Sequence, residues 1–115
     1  MSRMVAQQRQ FPRYRAEVMV DFGTSELRIA GMTWNVSQGG MFIRTTKVPE
    51  VGEKLLVNLR LAEGRQLLIQ GEVVRVFHPS ALASGSPAGV AVAIKNGDGY
   101  KRFSQSVARA SKASA

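Results

Sequence analysis

The 115-residue chain contains no cysteine, which excludes disulfides, thiol nucleophiles and thiolate metal sites and fits a reducing compartment. Histidine is nearly missing too. The single one, His78, precedes Pro79 at the mouth of a long loop, has no nucleophile or carboxylate near it in sequence, and reads as a solvated loop residue rather than a general base. No run of about 18 apolar residues is present that could cross a bilayer, and "MSRMVAQQRQ" has no apolar stretch behind its arginine, so neither a membrane span nor a secretory signal is expected. The expectation is a soluble, cytoplasmic protein. The carboxylates are few and scattered, and the nearest pair, Glu50 and Glu53, brackets a turn glycine where solvation accounts for both. Neither a paired-carboxylate site nor a metal cluster is visible, so the chain is expected to be a binding protein and not an enzyme, with no cofactor.

What the chain does have is positive charge. Sixteen basic residues against eight acidic ones give a net +8, which points to an anionic partner, and the distribution says more than the total. All eight acids lie between positions 16 and 98 together with eight of the basic residues, so the middle is neutral. The excess comes from Arg3, Arg9, Arg13 and Arg15 at one end and from Lys101, Arg102, Arg109 and Lys112 at the other. A barrel built for duplex binding more often carries a basic stripe on its folded body.

The length suits one domain with one core, and the patterning is mostly that of strands. In "RAEVMVDF", Ala16, Val18, Val20 and Phe22 alternate with polar or flexible positions, the period of two of a half-buried strand. "LRIAGMTWNV" places Leu27 and Ile29 on one side and Met32, Trp34 and Val36 on the other, with a change of face expected at Ala30-Gly31. "MFIRTT", "KLLVNLRL", "QLLIQGEVVRVF" and "GVAVAI" supply further strands, with Leu55, Val57, Leu59 and Leu61, then Val90, Val92 and Ile94, facing inward. "AEGR" reads as a hairpin turn, Gly71 as a bend, and "HPSALASGSPAG" as the longest loop. From Asp98, Tyr100, Phe103, Val107 and Ala110 form one stripe of a short helix expected to pack on the sheet, ahead of a frayed tail. Strands of this number and spacing close into a barrel or sandwich, which hides their edges.

Two stretches remain. "RQFPRYR" ahead of the first strand sets Arg9 and Arg13 four apart, and "NVSQGG" sets Asn35, Ser37 and Gly40 at the exposed turn that ends the second long strand. Each is ordinary alone. In this order, with a strand and a hairpin between them, and continuing through "GGMFIRTTKVPEVGEKLLVNLRL", "GEVVRV" and "GVAVAI", they resemble the PilZ domain, the bacterial receptor for the second messenger cyclic di-GMP, over roughly residues 8 to 95. The resemblance implies an all-β fold, a six-stranded antiparallel β-barrel, with a flexible N-terminal arm and a short C-terminal helix. It divides the chain into an arm at 1–14 carrying the paired arginines, a barrel at 15–97, and a helix and tail at 98–115. It also implies a cyclic di-GMP site built from Arg9, Arg13, Asn35, Ser37 and Gly40.

The chemistry of those residues suits that ligand. A guanidinium can fork onto phosphate oxygens or guanine O6/N7 and can stack on a base. Asn35 and Ser37 offer short polar groups, and Gly40 allows a close backbone approach. A charge-assisted hydrogen bond nets roughly 1.5–3 kcal/mol and stacking about 1–3, against about 8 for a micromolar complex, so two arginines alone fall short and the turn must contribute.

The chain departs from the family pattern in places. Gln8 precedes the first arginine, and Gln10 stands where many members carry another, which leans toward one bound molecule rather than a stacked pair. Arg75 falls where the family often has tryptophan, and either stacks on guanine or is a solvated strand residue. Trp34 and Phe11 invite base stacking, though a strand tryptophan is more often packing. A single domain leaves output to a downstream partner protein, in motility, biofilm formation or related signalling. Two other functions fit the composition: a small basic barrel binding RNA or single-stranded DNA, for which aromatics interleaved with basic residues on one face would be needed, and a ligand-free PilZ-like interaction module.

Overall fold

The computed structural model describes residues 11–78, 88–95 and 97–114. The alternation in "RAEVMVDF" makes two short strands rather than one, Tyr14–Arg15 (β1) and Met19–Gly23 (β2), and both pair antiparallel with the long strand Ile29–Ser37 (β3). The remaining strands are Gly40–Arg44 (β4), Lys54–Arg60 (β5), Gln66–Phe77 (β6) and Gly89–Ile94 (β7). Every pairing is antiparallel, in the order β3-β2-β5-β6-β7-β4, and β4 pairs back onto β3. Six strands therefore close into a barrel, with β1 extending the β2 edge. Closure removes the unpaired edges that an open sheet of this size would expose.

The inward positions are those the period of two selects. Val20, Phe22, Val36, Ile43, Val57, Leu59, Val73 and Val90 are essentially inaccessible to solvent, and Ala16, Val18, Leu61 and Ile94 pack against them. Burying a side chain such as Phe22 contributes about 1.5–3 kcal/mol.

Two faces differ from the sequence expectation. In β3 the change of side comes at Trp34, where the register against β4 shifts, and not at Ala30-Gly31. Gly31 and Thr33 point inward, Trp34 is the extra residue of a bulge, and of the three residues Met32, Trp34 and Val36 only Val36 enters the core. In β6 the irregularity is likewise at Val74 rather than Gly71. Gly71 instead permits tight packing, since a β-carbon there would lie 2.4 Å from a Val92 methyl. The "AEGR" turn is a single 3₁₀ turn, Ala62–Gly64, closed by Leu61 N–H donating to Arg65 O at 2.8 Å. The loop after His78 lies outside the described residues from 79 to 87.

Asp98–Ser114 forms helix α1, 17 residues long and so longer than expected, lying against β1, β3 and β6. Tyr100 and Phe103 reach the core, Val107 is half-buried and Ala110 is exposed, so the expected stripe is buried most deeply in its first half. The Tyr100 ring is buried, and the one hydrogen of its hydroxyl is shared between the backbone oxygens of Ser37, 2.8 Å away, and Gly40, 2.6 Å away.

The break between β1 and β2 has a specific cause. Thr33, fully buried, accepts a hydrogen bond from Val18 N–H at 2.8 Å and donates to Ala16 O at 2.5 Å. Its hydroxyl thus replaces the ladder bonds the chain lacks where it kinks. Thr33→Val keeps the shape but leaves a buried donor and acceptor unpaired, and should lower stability by about 1–3 kcal/mol, with Thr33→Ser much milder. Urea unfolding of the two variants checks this.

Burial pushes the Tyr100 phenol well above its usual range, opposed in part by the Arg13 guanidinium. The unfolded chain releases that proton above about pH 10 while the folded protein keeps it, so the contribution of Tyr100 to stability is level below about pH 10 and falls above it, by at most about 1.4 kcal/mol per pH unit. Unfolding midpoints measured across that range should show this slope in the parent protein and lose it in Tyr100→Phe.

Candidate functional site

The bulge at Trp34 decides where Asn35 points. Without it, strict alternation from inward Thr33 would turn Asn35 inward; the extra residue sends Asn35 outward and Val36 in. Asn35 pairs with Phe42, Phe42 with Ala91 and Ala91 with Arg75, so these four share one outward row. The next row, Val36, Met41, Val92 and Val73, lines the core.

β1 runs beside the outer end of β3, with Tyr14 opposite Val36 and Arg15 opposite Asn35. That register carries the preceding residue over the turn motif, and Arg13 Nη1 donates to Asn35 Oδ1 at 2.8 Å. Two residues separated by 22 positions and singled out from different motifs are therefore in direct contact. Phe11 lies nearby, since a β-carbon on Gly39 would come within 3.0 Å of its ring. Arg9 lies outside the described residues. Of the stretch read as an arm, residues 11–14 are described, and Tyr14 already pairs in β1.

The turn from Ser37 to Gly40 is held from beneath. Ser37 is buried, not at an exposed position as the turn chemistry suggests, and its hydroxyl accepts from Gly39 N–H at 3.3 Å and donates to Gly40 O at 3.4 Å. Gly40 is required for a close approach, but the group that approaches is the protein's own: a β-carbon would lie 2.2 Å from Val92 O on β7. Gly39 O accepts from Ile94 N–H at 2.9 Å, which ties the turn to the same strand. The two carbonyls at the ends of the turn share the Tyr100 hydroxyl. Tyr100 enters the sequence reading only as part of an apolar stripe, although a buried phenol needs a polar partner and so signals one.

Around this turn the surface is cationic. Trp34 projects outward between the strands that flank β3, with the Arg15 guanidinium 3.7 Å from its ring centre and that of Arg44 4.7 Å away. Glu17 pairs with Arg15 at 3.0 Å and reaches Arg44 at 4.0 Å. The ring is thus outward rim packing, occupied by the protein's own cations. Arg15 and Arg44 carry no motif and emerge only when β1 and β4 meet on the two sides of β3. Arg75 is exposed, with its guanidinium 5.1 Å from the Phe77 ring. It stands three strands from Asn35, about 14 Å at the usual strand spacing. On the row through Gly40, Glu72 pairs with Lys95 at 3.0 Å, and the hydrogen bond from Lys95, reinforced by its charge, lowers the Glu72 pKa.

Glu50 and Glu53 form a turn, with the Glu53 carboxylate accepting from Glu50 N–H at 2.9 Å. Among the described residues no group of three or more His, Asp or Glu side chains could hold a metal ion, and no helix is long and apolar enough to cross a membrane.

The barrel has known counterparts. The structure of Bacillus subtilis inhibitor of motility (MotI/DgrA) matches with a TM-score of 0.73 and 23% identity, covering 90% of this chain, which spans about half (51%) of that one. The PilZ domain with c-di-GMP of YcgR from Escherichia coli matches with a TM-score of 0.67 at 11% identity, covering 94% of this chain and 97% of that one. The PilZ domain of CeSA from a cellulose-synthesizing bacterium gives 0.57 at 18% identity, with 85% and 92% covered. No curated protein matches the sequence. At these identities the structural likeness establishes the fold, and the family model for the PilZ domain matches residues 7–99 directly. With that match across most of its length and a closed barrel of the same architecture, the chain belongs to the PilZ domain family.

Proposed function

We propose that this domain is a receptor for cyclic di-GMP and takes the ligand with Arg9, Arg13, Asn35, Ser37 and Gly40. The observation that carries the reading is the 2.8 Å contact between Arg13 and Asn35, which joins the arm motif to the turn motif on one outward surface. The Arg13 guanidinium has five N–H donors and among the described residues uses one on Asn35, so the pair is a preformed element onto which a phosphate or guanine edge can dock. Ser37 and Gly40 act through the shape of the turn, and Phe11 and Arg75 flank the surface on either side. The missing third arginine, with Gln10 in its place, favours one bound molecule. YcgR, whose PilZ domain was determined with c-di-GMP, is a precedent for the ligand. The signal then passes to a downstream partner protein, in motility, biofilm formation or a related response. No step of this role calls for catalysis, a metal or a cofactor.

Among the described residues, the outward Trp34 between Arg15 and Arg44 is the feature that most favours oligonucleotide binding. It is a single platform already engaged by two cations, whereas single strands are tracked by successive aromatics.

Calorimetry of the parent protein should show binding of cyclic di-GMP in preference to GMP and to single-stranded RNA; equal affinity for the RNA would sink the reading. Arg13→Ala and Asn35→Ala should each weaken binding by about tenfold or more, the size of one charge-assisted hydrogen bond. Ser37→Ala should weaken it as well, with the folded circular-dichroism signal retained, because the hydroxyl's own contacts are long.

Affinity should also fall with added salt, but with a log–log slope shallower than about −2, since the ligand offers only two phosphates to neutralise. A titration series in sodium chloride reads that slope, and a steep one would identify a polynucleotide as the natural ligand.

A further inference from the structure

The hydroxyl of Tyr100 is buried at the end of the barrel, comes from the first turn of α1, and meets the carbonyl oxygens of Ser37 at 2.8 Å and Gly40 at 2.6 Å, partners 63 and 60 positions away. Those two carbonyls are the two ends of the turn that carries the candidate site. A helix packed by apolar contact alone would need no such group, and Phe103, beside Tyr100 with ring centres 5.9 Å apart, makes the apolar contact without one.

We propose that Tyr100 is the positioning residue of the Ser37–Gly40 turn, and that through its hydroxyl the docking of α1 and the occupation of the ligand site favour each other. The second half rests on the cyclic di-GMP reading; the first does not. The physical basis is direct. The turn's ends are paired across β3 and β4 and its middle carbonyl is held by β7, but the Ser37 side-chain contacts are long, at 3.3 and 3.4 Å, so the short contacts of the phenol are what fix the two end carbonyls relative to α1. A ligand that selects this turn geometry selects the docked helix with it. Coupling of this kind is reciprocal, so a partner that draws α1 away from the barrel lowers affinity for the ligand, and ligand binding holds the helix down. The output element of the domain is then α1, whose exposed face carries Lys101, Arg102 and Arg109.

Amide hydrogen exchange on the full chain tests this, comparing the parent with Tyr100→Phe, which removes only the hydroxyl, and Phe103→Leu, which trims apolar packing of the same helix. In the free protein, Tyr100→Phe should speed exchange at Gln38 and Gly39 by about threefold to tenfold, the range of one net hydrogen bond, while Phe103→Leu leaves those amides unchanged. Cyclic di-GMP should slow exchange along α1 in the parent, and in Tyr100→Phe both that protection and the affinity should drop by a similar factor. Unchanged turn exchange in Tyr100→Phe, or equal loosening by Phe103→Leu, overturns the positioning role. A looser turn with unaltered affinity and helix protection overturns the coupling. If the parent itself binds no cyclic di-GMP, the ligand reading and the coupling fall together, and the exchange rates of the free variants still decide the positioning role. Should Tyr100→Phe fail to fold, fluorotyrosine incorporation, which strengthens the phenol as a donor, should slow exchange at the same turn amides, and no change there counts against the proposal.

Discussion

The hydroxyl of Thr33 lets one strand do two jobs. β3 closes the barrel against β4 along one edge and holds β1 and β2 along the other, and the second edge cannot be continuous because the chain kinks at Ala16 to Val18. By accepting from Val18 and donating to Ala16, the buried hydroxyl satisfies both groups at the kink. β1 is thereby laid along the outer end of β3, and the guanidinium of Arg13 arrives on Asn35. An apolar residue of the same shape would leave two partly buried backbone groups unpaired beside the core, a condition such groups rarely tolerate.

The turn beyond Asn35 is equally determined by what lies beneath it. Its glycine is pressed against the backbone of β7, its middle carbonyl accepts from Ile94, and its two ends converge on one phenol from α1. The candidate site is thus a surface whose floor is the barrel core, so its shape is inherited from packed elements rather than from a loose loop. Preorganisation of that kind lets a few polar contacts suffice, because little ordering is left for the ligand to impose.

Charge completes the picture in a way that the linear distribution conceals. Counted along the chain, the middle is neutral and the ends are basic. In space, Arg13 and Arg15 from the amino-terminal side come together with Arg44 from β4 around Trp34 and Asn35, and Glu17 is the single carboxylate described among them. Two cations and one anion on one indole leave a net positive surface at the turn, which attracts a phosphate-bearing ligand before any hydrogen bond forms.

Much of this was legible in the sequence. The period of two along "KLLVNLRL" and "GVAVAI" selects Leu55, Val57, Leu59, Val90 and Val92 for the core because alternate side chains of a strand must face one way, and the resemblance to the PilZ domain assigns Arg13 and Asn35 to one site. Other features were not legible, because they depend on which strands become neighbours. A bulge exists only relative to a partner's register, so the outward turn of Asn35 at Trp34, and the matching slip at Val74, follow from pairing and not from local composition. Gly40 reads in the chain as a place for close approach and Gly71 as a bend, and only the pairing with β7 shows that at both positions it is that strand which leaves a side chain no room. Tyr100 reads as one more apolar residue on a helix until the barrel brings Ser37 and Gly40 to its hydroxyl. Local pattern determined most of the strands and most of the buried positions; contacts between residues dozens of positions apart decided which polar groups meet, since a hydrogen bond needs both partners within about 3 Å and the chain alone sets no such distance.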